Sequence, residues 1–252
     1  MLTCLNLTFR YGDTVAVNRL SFTIRRGEIF GLLGPNGAGK TTTLKILGGL
    51  LQLQEGAVEA FGFSLEKAPR EIKRITAFLP DRPHVYERLT AWEYLAFVAS
   101  LWNLPENGRW RETARSLLRR LELENDANRL LESFSQGMRQ KLMLIAGFIH
   151  EPKLWILDEP LTALDPRSAR FVRSLLRSEA EKGSCILLST HILDTAERFC
   201  DRIAILDHGS LVAEGTVAEL LDRSDAAGKK GAPCLEDAFL RLVPQEDTSV
   251  KP

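Results

Sequence analysis

The sequence predicts an α/β fold built on a mainly parallel sheet, and three features point to it. Strand-like and helix-like segments alternate along most of the 252 residues. Residues 154–157 (LWIL) form an unbroken apolar run, which is typical of a strand buried on both faces of a parallel sheet. Residues 29–33 form a similar run that leads into a glycine-rich loop and a helix. Such alternation places helices against the faces of a parallel sheet.

The composition is that of an ordinary globular protein. The 33 basic and 33 acidic residues give a formal net charge of zero, so no basic excess indicates a nucleic-acid partner. No apolar run reaches the roughly 20 residues that cross a bilayer, and the first residues do not have the pattern of a signal peptide. Four scattered cysteines outside metal-binding spacing predict reduced thiols in a cytosolic protein: Cys4, Cys185, Cys200 and Cys234.

The first sixty residues predict short strands. Residues 2–10 and 20–25 alternate between apolar and polar side chains, as half-buried strands do, and residues 57–60 add another short strand. Tyr11 lies in a turn just before a glycine. Its ring could pack in the core or stack on a base, and its position alone favours the core.

A phosphate-binding loop is predicted at residues 34–41 (GPNGAGKT), which have the spacing G-x-x-x-x-G-K-T between a strand and a helix. Glycines let backbone N–H groups turn towards phosphate oxygens, and the helix N-terminus adds positive potential. The lysine of this motif reaches the β- and γ-phosphates, and the threonine hydroxyl holds Mg²⁺. The alternative is a glycine-rich turn that happens to precede a helix. The predicted nucleoside triphosphate contacts are Gly34, Asn36, Gly37, Ala38, Gly39, Lys40, Thr41 and Thr42.

The pattern becomes mainly helical after a helix at 68–74 and a strand at 75–79. Thr90 and Glu93 form a capping box that opens a helix with apolar residues nearly all round. This helix must be covered, either by the chain's own core or by a partner. Two further helices follow before residue 150, the first with arginines on a face that we expect to be solvated.

The C-terminal part returns to strand–helix alternation. Asp165 and Pro166 are typical of an N-cap and a first helical residue. A strand at 184–189 follows that helix, and a hairpin at 202–213 precedes a second capping box at 216–219.

The composition changes again near the C-terminus. Residues 224–233 are rich in Gly, Ala, Asp and Lys, which predicts a mobile linker. Residues 235–243 predict one more short helix, and the last residues are expected to be disordered.

Four polar positions follow predicted strands, where ligands bind in a parallel sheet. They are the phosphate loop, Asp81, the pair Asp158 and Glu159, and His191. An acidic pair after an apolar run is a Walker B pattern, in which Asp158 would hold the Mg²⁺ shell and Glu159 would polarise the attacking water. His191 is either a satisfied polar residue or a contact to the γ-phosphate.

Residues 133–141 (SFSQGMRQK) resemble the signature motif of ABC-type ATPases in a divergent form. Together with it, seven elements occur in the order and spacing of that family over residues 1 to about 222. Tyr11 matches the aromatic residue that stacks on adenine, and this match replaces the core interpretation. Residues 163–165 match the D-loop, and His191 matches the switch histidine.

Two departures from the family pattern are visible. Asp81 stands where the family has Gln or sometimes Glu, and its shorter side chain would reach Mg²⁺ only through a water. Gln136 and Met138 replace the Gly and Gln that the family most often has. Ser135 and Gly137 remain, and these would offer a hydroxyl and a backbone N–H to the γ-phosphate.

The resemblance implies a P-loop NTPase core with an N-terminal antiparallel β subdomain and an inserted α-helical subdomain. Residues 1–222 would form the ATPase domain, with a catalytic core at 1–83 and 151–222 and the helical insert at 84–150. Residues 223–252 would form a linker and a short extension. The implied cofactors are ATP and Mg²⁺, with the metal near Thr41, Asp81 and Asp158.

In this family two subunits face each other head to tail, so one chain carries half of each site. The resemblance therefore implies a second ATPase subunit and a separate membrane-spanning partner, with no nucleic acid. The partner would dock on the insert near Tyr86, Trp92 and Tyr94, at the cytoplasmic face of the membrane. The signature and the helix at 235–243 are similar to those of ABC-2-type exporter ATPases, which favours export over import.

Two other functions were weighed from the sequence. A soluble ABC-type ATPase acting on ribosomes or nucleic acid usually fuses two ATPase units or carries long coiled-coil insertions, and this chain shows neither. A nucleotide-dependent regulatory module without turnover would not need Lys40, Asp158, Glu159 and His191 together.

Overall fold

The computed structural model describes residues 1–225 and 235–243. Two sheets and the helices around them make up this part of the chain, and the larger sheet is parallel except at one edge. The prediction of an α/β fold is therefore confirmed.

The smaller sheet is antiparallel and comes from the N-terminal region, with the order β2-β1-β4-β5. Its strands are β1 (Leu2–Tyr11), β2 (Thr14–Ile24), β4 (Glu55–Ala60) and β5 (Phe63–Ser64). The strand predicted at 20–25 is longer than expected, because β2 begins directly after the turn that follows β1.

The larger sheet has six strands in the order β10-β9-β3-β8-β7-β6. They are β3 (Ile29–Leu33), β6 (Thr76–Leu79), β7 (Leu154–Asp158), β8 (Cys185–Thr190), β9 (Arg202–Asp207) and β10 (Ser210–Gly215). All neighbours pair in parallel except β10, which pairs antiparallel with β9. Every residue of β3, β7 and β8 is buried, as the continuous apolar runs predicted.

Two apolar clusters cover the two faces of this sheet. Ile29 and Leu33 of β3 point into one cluster, and Phe30 and Leu32 point into the other. This alternation follows from the two-residue period of a strand.

The helices fall into three groups along the chain. Those around the sheets are α1 (Lys40–Leu47), α2 (Pro69–Arg74), α6 (Pro166–Glu181) and α7 (Leu193–Phe199). Between β6 and β7 lie α3 (Ala91–Leu101), α4 (Trp110–Arg120) and α5 (Gln136–Phe148), with short 3₁₀ turns at Glu124–Asp126 and Leu131–Ser133. Near the C-terminus lie α8 (Val217–Asp225) and α9 (Leu235–Leu242).

Helix α3 is covered in part by the chain's own core, which is one of the two alternatives that its sequence left open. The Thr90 side chain accepts a hydrogen bond from the backbone N–H of Glu93, and the Glu93 carboxylate accepts one from the N–H of Thr90, which confirms the capping box. Tyr94 and Leu95 are buried in the chain's own core, whereas Phe97 remains exposed. The arginines of α4 are mostly exposed, as predicted.

The C-terminal predictions are confirmed in part. The second capping box joins Thr216 and Glu219, and α9 forms where a short helix was predicted. The predicted start of the linker was wrong, because α8 continues to Asp225. The rest of that linker and the terminal residues lie outside the described residues.

The cysteines and the lengths of the apolar helices were also predicted from the sequence. Cys4, Cys185 and Cys200 are buried and free of disulfides, and Cys234 lies outside the described residues. Over residues 1–225 and 235–243, no helix is both long and apolar enough to span a membrane.

Candidate active site

The glycine-rich loop connects the C-terminal end of β3 to the N-terminus of α1. A Cβ atom placed on Gly39 would lie only 2.3 Å from the carbonyl oxygen of Ala16, and Gly39 has a φ of 92°. Both facts require glycine at this position, because an L side chain would clash and would disfavour this backbone conformation. The loop can therefore run close to β2.

Lys40 is buried at the start of α1. Its ammonium donates hydrogen bonds to the carbonyl oxygens of Gly34 (2.6 Å) and Pro35 (2.9 Å). Burial lowers the pKa of Lys40, while the nearby charges of Glu159 and Asp158 act in the opposite direction. The charge is thus held inside the loop, at the place where phosphate oxygens would bind.

Thr41 and Asp158 meet across the site. The Thr41 hydroxyl donates to Oδ2 of Asp158 at 2.8 Å, and the Ser189 hydroxyl donates to Oδ1 of the same carboxylate. The register of β7 and β8 explains this contact, since Asp158 and Ser189 are paired residues at the ends of neighbouring parallel strands. The hydroxyl–carboxylate pair offers the hard oxygen ligands that Mg²⁺ prefers.

Glu159 follows β7 in the left-handed region, with a φ of 50°. Its backbone N–H donates to the carbonyl oxygen of Ser189 at 3.2 Å, and its carboxylate accepts from Thr162 at 3.2 Å. The other carboxylate oxygen lies 2.7 Å from Nδ1 of His191. These contacts fix a carboxylate next to an exposed imidazole, an arrangement that suits proton transfer or orientation of a water.

One cavity of about 250 Å³ brings most of the predicted site residues together. Its lining consists of Ala16, Asn36, Gly37, Ala38, Gly39, Lys40, Thr41, Thr42, Asp81, Asp158 and Glu159. Gly34 and His191 are not in this lining, but they contact Lys40 and Glu159 directly.

Three further predicted site residues do not line the cavity: Tyr11, Ser135 and Gly137. The Tyr11 ring is 51% exposed and makes an edge contact with Phe9 at a centroid distance of 4.9 Å. The placement in the core that position alone favoured was therefore wrong, because Tyr11 is the last residue of β1 and its ring lies at the surface.

Ser135 and Gly137 lie at the start of α5. The Ser135 hydroxyl accepts a hydrogen bond from the backbone N–H of Met138 at 3.3 Å, so it caps the helix. A Cβ atom on Gly137 would lie 2.6 Å from the carbonyl oxygen of Ala163. Glycine thus allows the first turn of α5 to pack on the segment that follows Glu159.

An ion pair strengthens this packing of α5 on the segment after Glu159. The Lys141 ammonium lies 2.9 Å from the Asp165 carboxylate, and the Lys141 side chain is only 11% exposed. Asp165 also accepts from the backbone N–H of Ser168 at 2.8 Å and caps α6. Hydrogen bonds from Ser168 and Lys141 hold the pKa of Asp165 well below its ordinary value.

Sequence reasoning missed Ala16, Thr162 and Ser189. The signal for Ser189 was its place near the C-terminal end of a predicted strand beside the Walker B strand. Ala16 carries no chemical signal, because it is the backbone carbonyl of this residue that approaches Gly39 of the loop. The Thr162 hydroxyl contacts the Glu159 carboxylate where the backbone of Glu159 is left-handed. Glutamate does not favour that backbone conformation, so the contact could not be predicted from the residue types.

The residues of the cavity fit ATP with Mg²⁺. Within the described chain, no three His, Cys, Asp or Glu side chains are grouped so that they could hold a metal ion. Mg²⁺ is typically bound by one or two protein oxygen ligands together with substrate phosphates. Thr41 and Asp158 supply that number, beside a loop and a lysine suited to phosphate.

Comparison with known proteins finds relatives that are named as ATP-binding proteins. The family model described as "ABC transporter" matches residues 17–162. The ABC-type transporter ATP-binding protein EcsA of Bacillus subtilis is 34% identical over 246 residues, covering 98% of this chain and 98% of EcsA. The daunorubicin/doxorubicin resistance ATP-binding protein DrrA of Streptomyces peucetius is 39% identical over 210 residues, covering 83% of this chain and 63% of DrrA.

Solved structures are similar over the same region. The ATP-binding subunit of an ABC transporter has a TM-score of 0.88 and 35% identity, covering 96% of this chain and 99% of that chain. The ATP-binding cassette MJ0796, in a dimeric post-hydrolysis state bound to ADP and Pi, has a TM-score of 0.78 and 26% identity. That alignment covers 86% of this chain and 98% of the cassette.

Proposed function

The chain belongs to the ABC transporter family as an ATP-binding subunit with ATPase activity, and we propose that it drives transport through a separate membrane-spanning partner. The observation that carries this proposal is the cavity at the C-terminal edge of the parallel sheet. There Lys40, the Thr41–Asp158 pair and Glu159 meet, as ATP hydrolysis requires.

The proposed roles follow from this geometry. The loop N–H groups and Lys40 bind the phosphates, and Glu159 orients and polarises the attacking water, with His191 beside it. Thr41 and Asp158, and Asp81 through a water, would hold Mg²⁺, which neutralises phosphate charge when bound. The exposed Tyr11 ring is available to stack on the base.

The active form is proposed to be a head-to-tail dimer, of two copies or of this chain with a related one. Ser135 and Gly137 lie outside the cavity of their own chain, so a second chain must supply them to this nucleotide. The N-terminus of α5 would direct its dipole and backbone N–H groups at the γ-phosphate. The dimeric MJ0796 cassette supports this arrangement. Closure would follow ATP binding and reopening would follow hydrolysis, as a shift between two populations.

The domain organisation is proposed as predicted: an ATPase domain at 1–222 with its helical insert at 84–150, and an extension at 223–252, whose first residues continue α8 to Asp225. The insert would dock the membrane partner. Tyr86 is 60% exposed and Leu101 is 59% exposed, beside a cavity of about 280 Å³ between α3, α5 and β6. Tyr94 is buried, so it would pack beneath this surface and would not contact the partner itself.

Export is favoured over import, and the proposed location is peripheral, on the cytoplasmic face of the membrane. The name of DrrA connects that relative with resistance to daunorubicin and doxorubicin, which is the outcome expected of an exporter. The alternative remains an ABC-type ATPase acting on ribosomes or nucleic acid. The zero net charge gives that alternative no electrostatic support.

Co-purification tests the proposal. The tagged full chain, extracted from membranes in mild detergent, should retain an integral membrane protein. Changing both Tyr86 and Leu101 to Ser should lose that protein, whereas the matched change Leu50→Ser, at an exposed leucine beyond α1, should not. Recovery of ribosomes or DNA in place of a membrane protein would contradict the proposal.

A further inference from the structure

A cavity of about 560 Å³ lies at the edge of the six-stranded sheet that is opposite to the nucleotide cavity. Two of its lining residues, Lys153 and Ser184, directly precede β7 and β8, so it lies at the N-terminal ends of these parallel strands. Its other walls come from α4 of the helical insert and from α6. The volume falls within the roughly 300–1,000 Å³ of small-molecule sites.

The charges in this cavity favour an anion. Its cationic side chains are those of Arg109, Lys153 and Lys182. Its carboxylates are those of Glu151 and Glu179, so the lining has a net charge of about +1 at neutral pH. The Lys182 ammonium already lies 2.7 Å from the Glu179 carboxylate. Across residues 1–225 and 235–243 the structure gives the side chains of Arg109 and Lys153 no ion pair or hydrogen bond, so both can bind a ligand.

The floor of the cavity is apolar. Leu117 and Phe148 are buried and Leu175 is half-buried, whereas Arg109 and Lys153 are exposed and form the rim. The Phe148 ring packs on buried Trp155 with a centroid distance of 4.5 Å, which holds this part of the floor in place. An apolar floor with a few polar groups above it is the usual composition of a small-molecule site.

The backbone of Lys153 is held from both sides. Its N–H donates to the carbonyl oxygen of Ile75 at 2.9 Å, and its own carbonyl oxygen accepts from the N–H of Cys185 at 2.9 Å. The starts of β6 and β8 therefore fix the position from which this exposed side chain extends. A ligand group that binds the ammonium would need to order only the side chain, which lowers the entropic cost of binding.

We propose that this cavity binds a small organic anion with an apolar body. Lys153 and Arg109 would bind the anionic group, and the apolar floor would cover the body. The inference does not depend on the proposed nucleotide site, which lies at the other edge of the sheet. Because α4 belongs to the helical insert and α6 to the core, a ligand here would contact both parts of the chain.

The test compares two fluorescent probes titrated into the full chain near neutral pH. Anilinonaphthalene sulfonate is an organic anion, and anilinonaphthalene has the same body without the charge. Lys153→Gln and Arg109→Gln should each weaken binding of the sulfonate about tenfold, the usual effect of losing one hydrogen bond between charged groups. Binding of the uncharged probe should not change.

Glu151→Gln should strengthen binding of the sulfonate, because it removes a carboxylate from the lining. A gain in affinity cannot result from damage to the fold. Lys67→Gln is the matched control, since Lys67 is an exposed lysine that does not line the cavity, and it should bind both probes as wild type does.

Three results would each overturn the inference. The first is a wild-type chain that does not bind the sulfonate. The second is unchanged sulfonate affinity in both Lys153→Gln and Arg109→Gln, which would place the probe elsewhere. The third is an equal loss of both probes in these variants, which would mean that the cations do not recognise the charge.

Discussion

At the scale of single residues, Lys40 shows how the cavity is prepared for phosphate. Its ammonium is buried and held by two loop carbonyls, so its orientation is fixed before a ligand arrives. Burial lowers its pKa, but Glu159 and Asp158 favour the charged form. A phosphate oxygen would be a stronger partner than a neutral carbonyl, because its negative charge attracts the ammonium directly.

Lys40→Ala should reduce ATP turnover about 100-fold or more, which is the usual loss when one well-placed donor to transition-state charge is removed. The measurement is phosphate release at saturating ATP. Lys45→Ala is the control, because Lys45 is on the same helix but does not line the cavity. Normal turnover in Lys40→Ala would contradict the assignment of the site.

Asp81→Gln tests how Asp81 takes part in turnover. If Asp81 reaches Mg²⁺ only through a water, turnover at saturating Mg²⁺-ATP should stay within about twofold of wild type, since an amide can also bind a bridging water. Steady-state kinetics on the full chain would measure this. A loss of more than about tenfold would mean that the carboxylate takes a direct part in catalysis.

At the scale of secondary-structure elements, the parallel register explains why the site forms at one edge of the sheet. Asp158 ends β7 opposite Ser189 of β8, and the loop that carries Lys40 follows β3, the next strand. The positions of Asp158 and Lys40 were predicted, because apolar runs with polar ends can be recognised in a sequence. The left-handed backbone of Glu159 and the approach of Ala16 to Gly39 were not, since they depend on contacts between distant segments.

The ends of α3 and α5 are joined by a ring contact that predicts a pH effect. The Trp102 and His150 rings stack at 4.3 Å, and burial lowers the pKa of His150 from 6.5 to about 4. The unfolded chain therefore binds a proton at a higher pH than the folded chain does. This contribution to stability is complete above about pH 6.5 and is lost as the pH falls towards about 4.

Urea unfolding at about pH 7 and about pH 5 measures this contribution. Between pH 7 and pH 5, the free energy of unfolding should fall by about 2 kcal/mol more in wild type than in His150→Gln. This difference follows from the lowered pKa of His150 and the linkage between proton binding and stability. His84→Gln is the control and should behave as wild type. His84 is exposed, and it lines the same cavity between α3, α5 and β6 as His150 does. Equal losses in wild type and His150→Gln would show that His150 titrates normally.

At the scale of the whole molecule, the chain separates two sets of residues that we propose to contact nucleotide. The phosphate loop, Asp158 and Glu159 share one cavity, whereas Ser135 and Gly137 lie outside it at the start of α5. The resemblance to ABC-type ATPases implied this division, because each of the motifs that carry the resemblance is short and can be recognised in the sequence alone. What the sequence could not indicate is how firmly α5 packs on the segment after Glu159, through the Lys141–Asp165 pair.

The central claim is that the nucleotide cavity of one chain is completed by the start of α5 of a second chain. Glu159→Gln tests this claim most directly. Glutamine can still accept the hydrogen bond from Thr162, but it is a much weaker base, so ATP should bind and persist. The molar mass of this variant is measured by light scattering after size exclusion. It should be that of a dimer with Mg²⁺-ATP and that of a monomer with ADP. Adding Lys40→Ala should prevent the dimer from forming. A single chain in Mg²⁺-ATP, with binding demonstrated, would contradict the account.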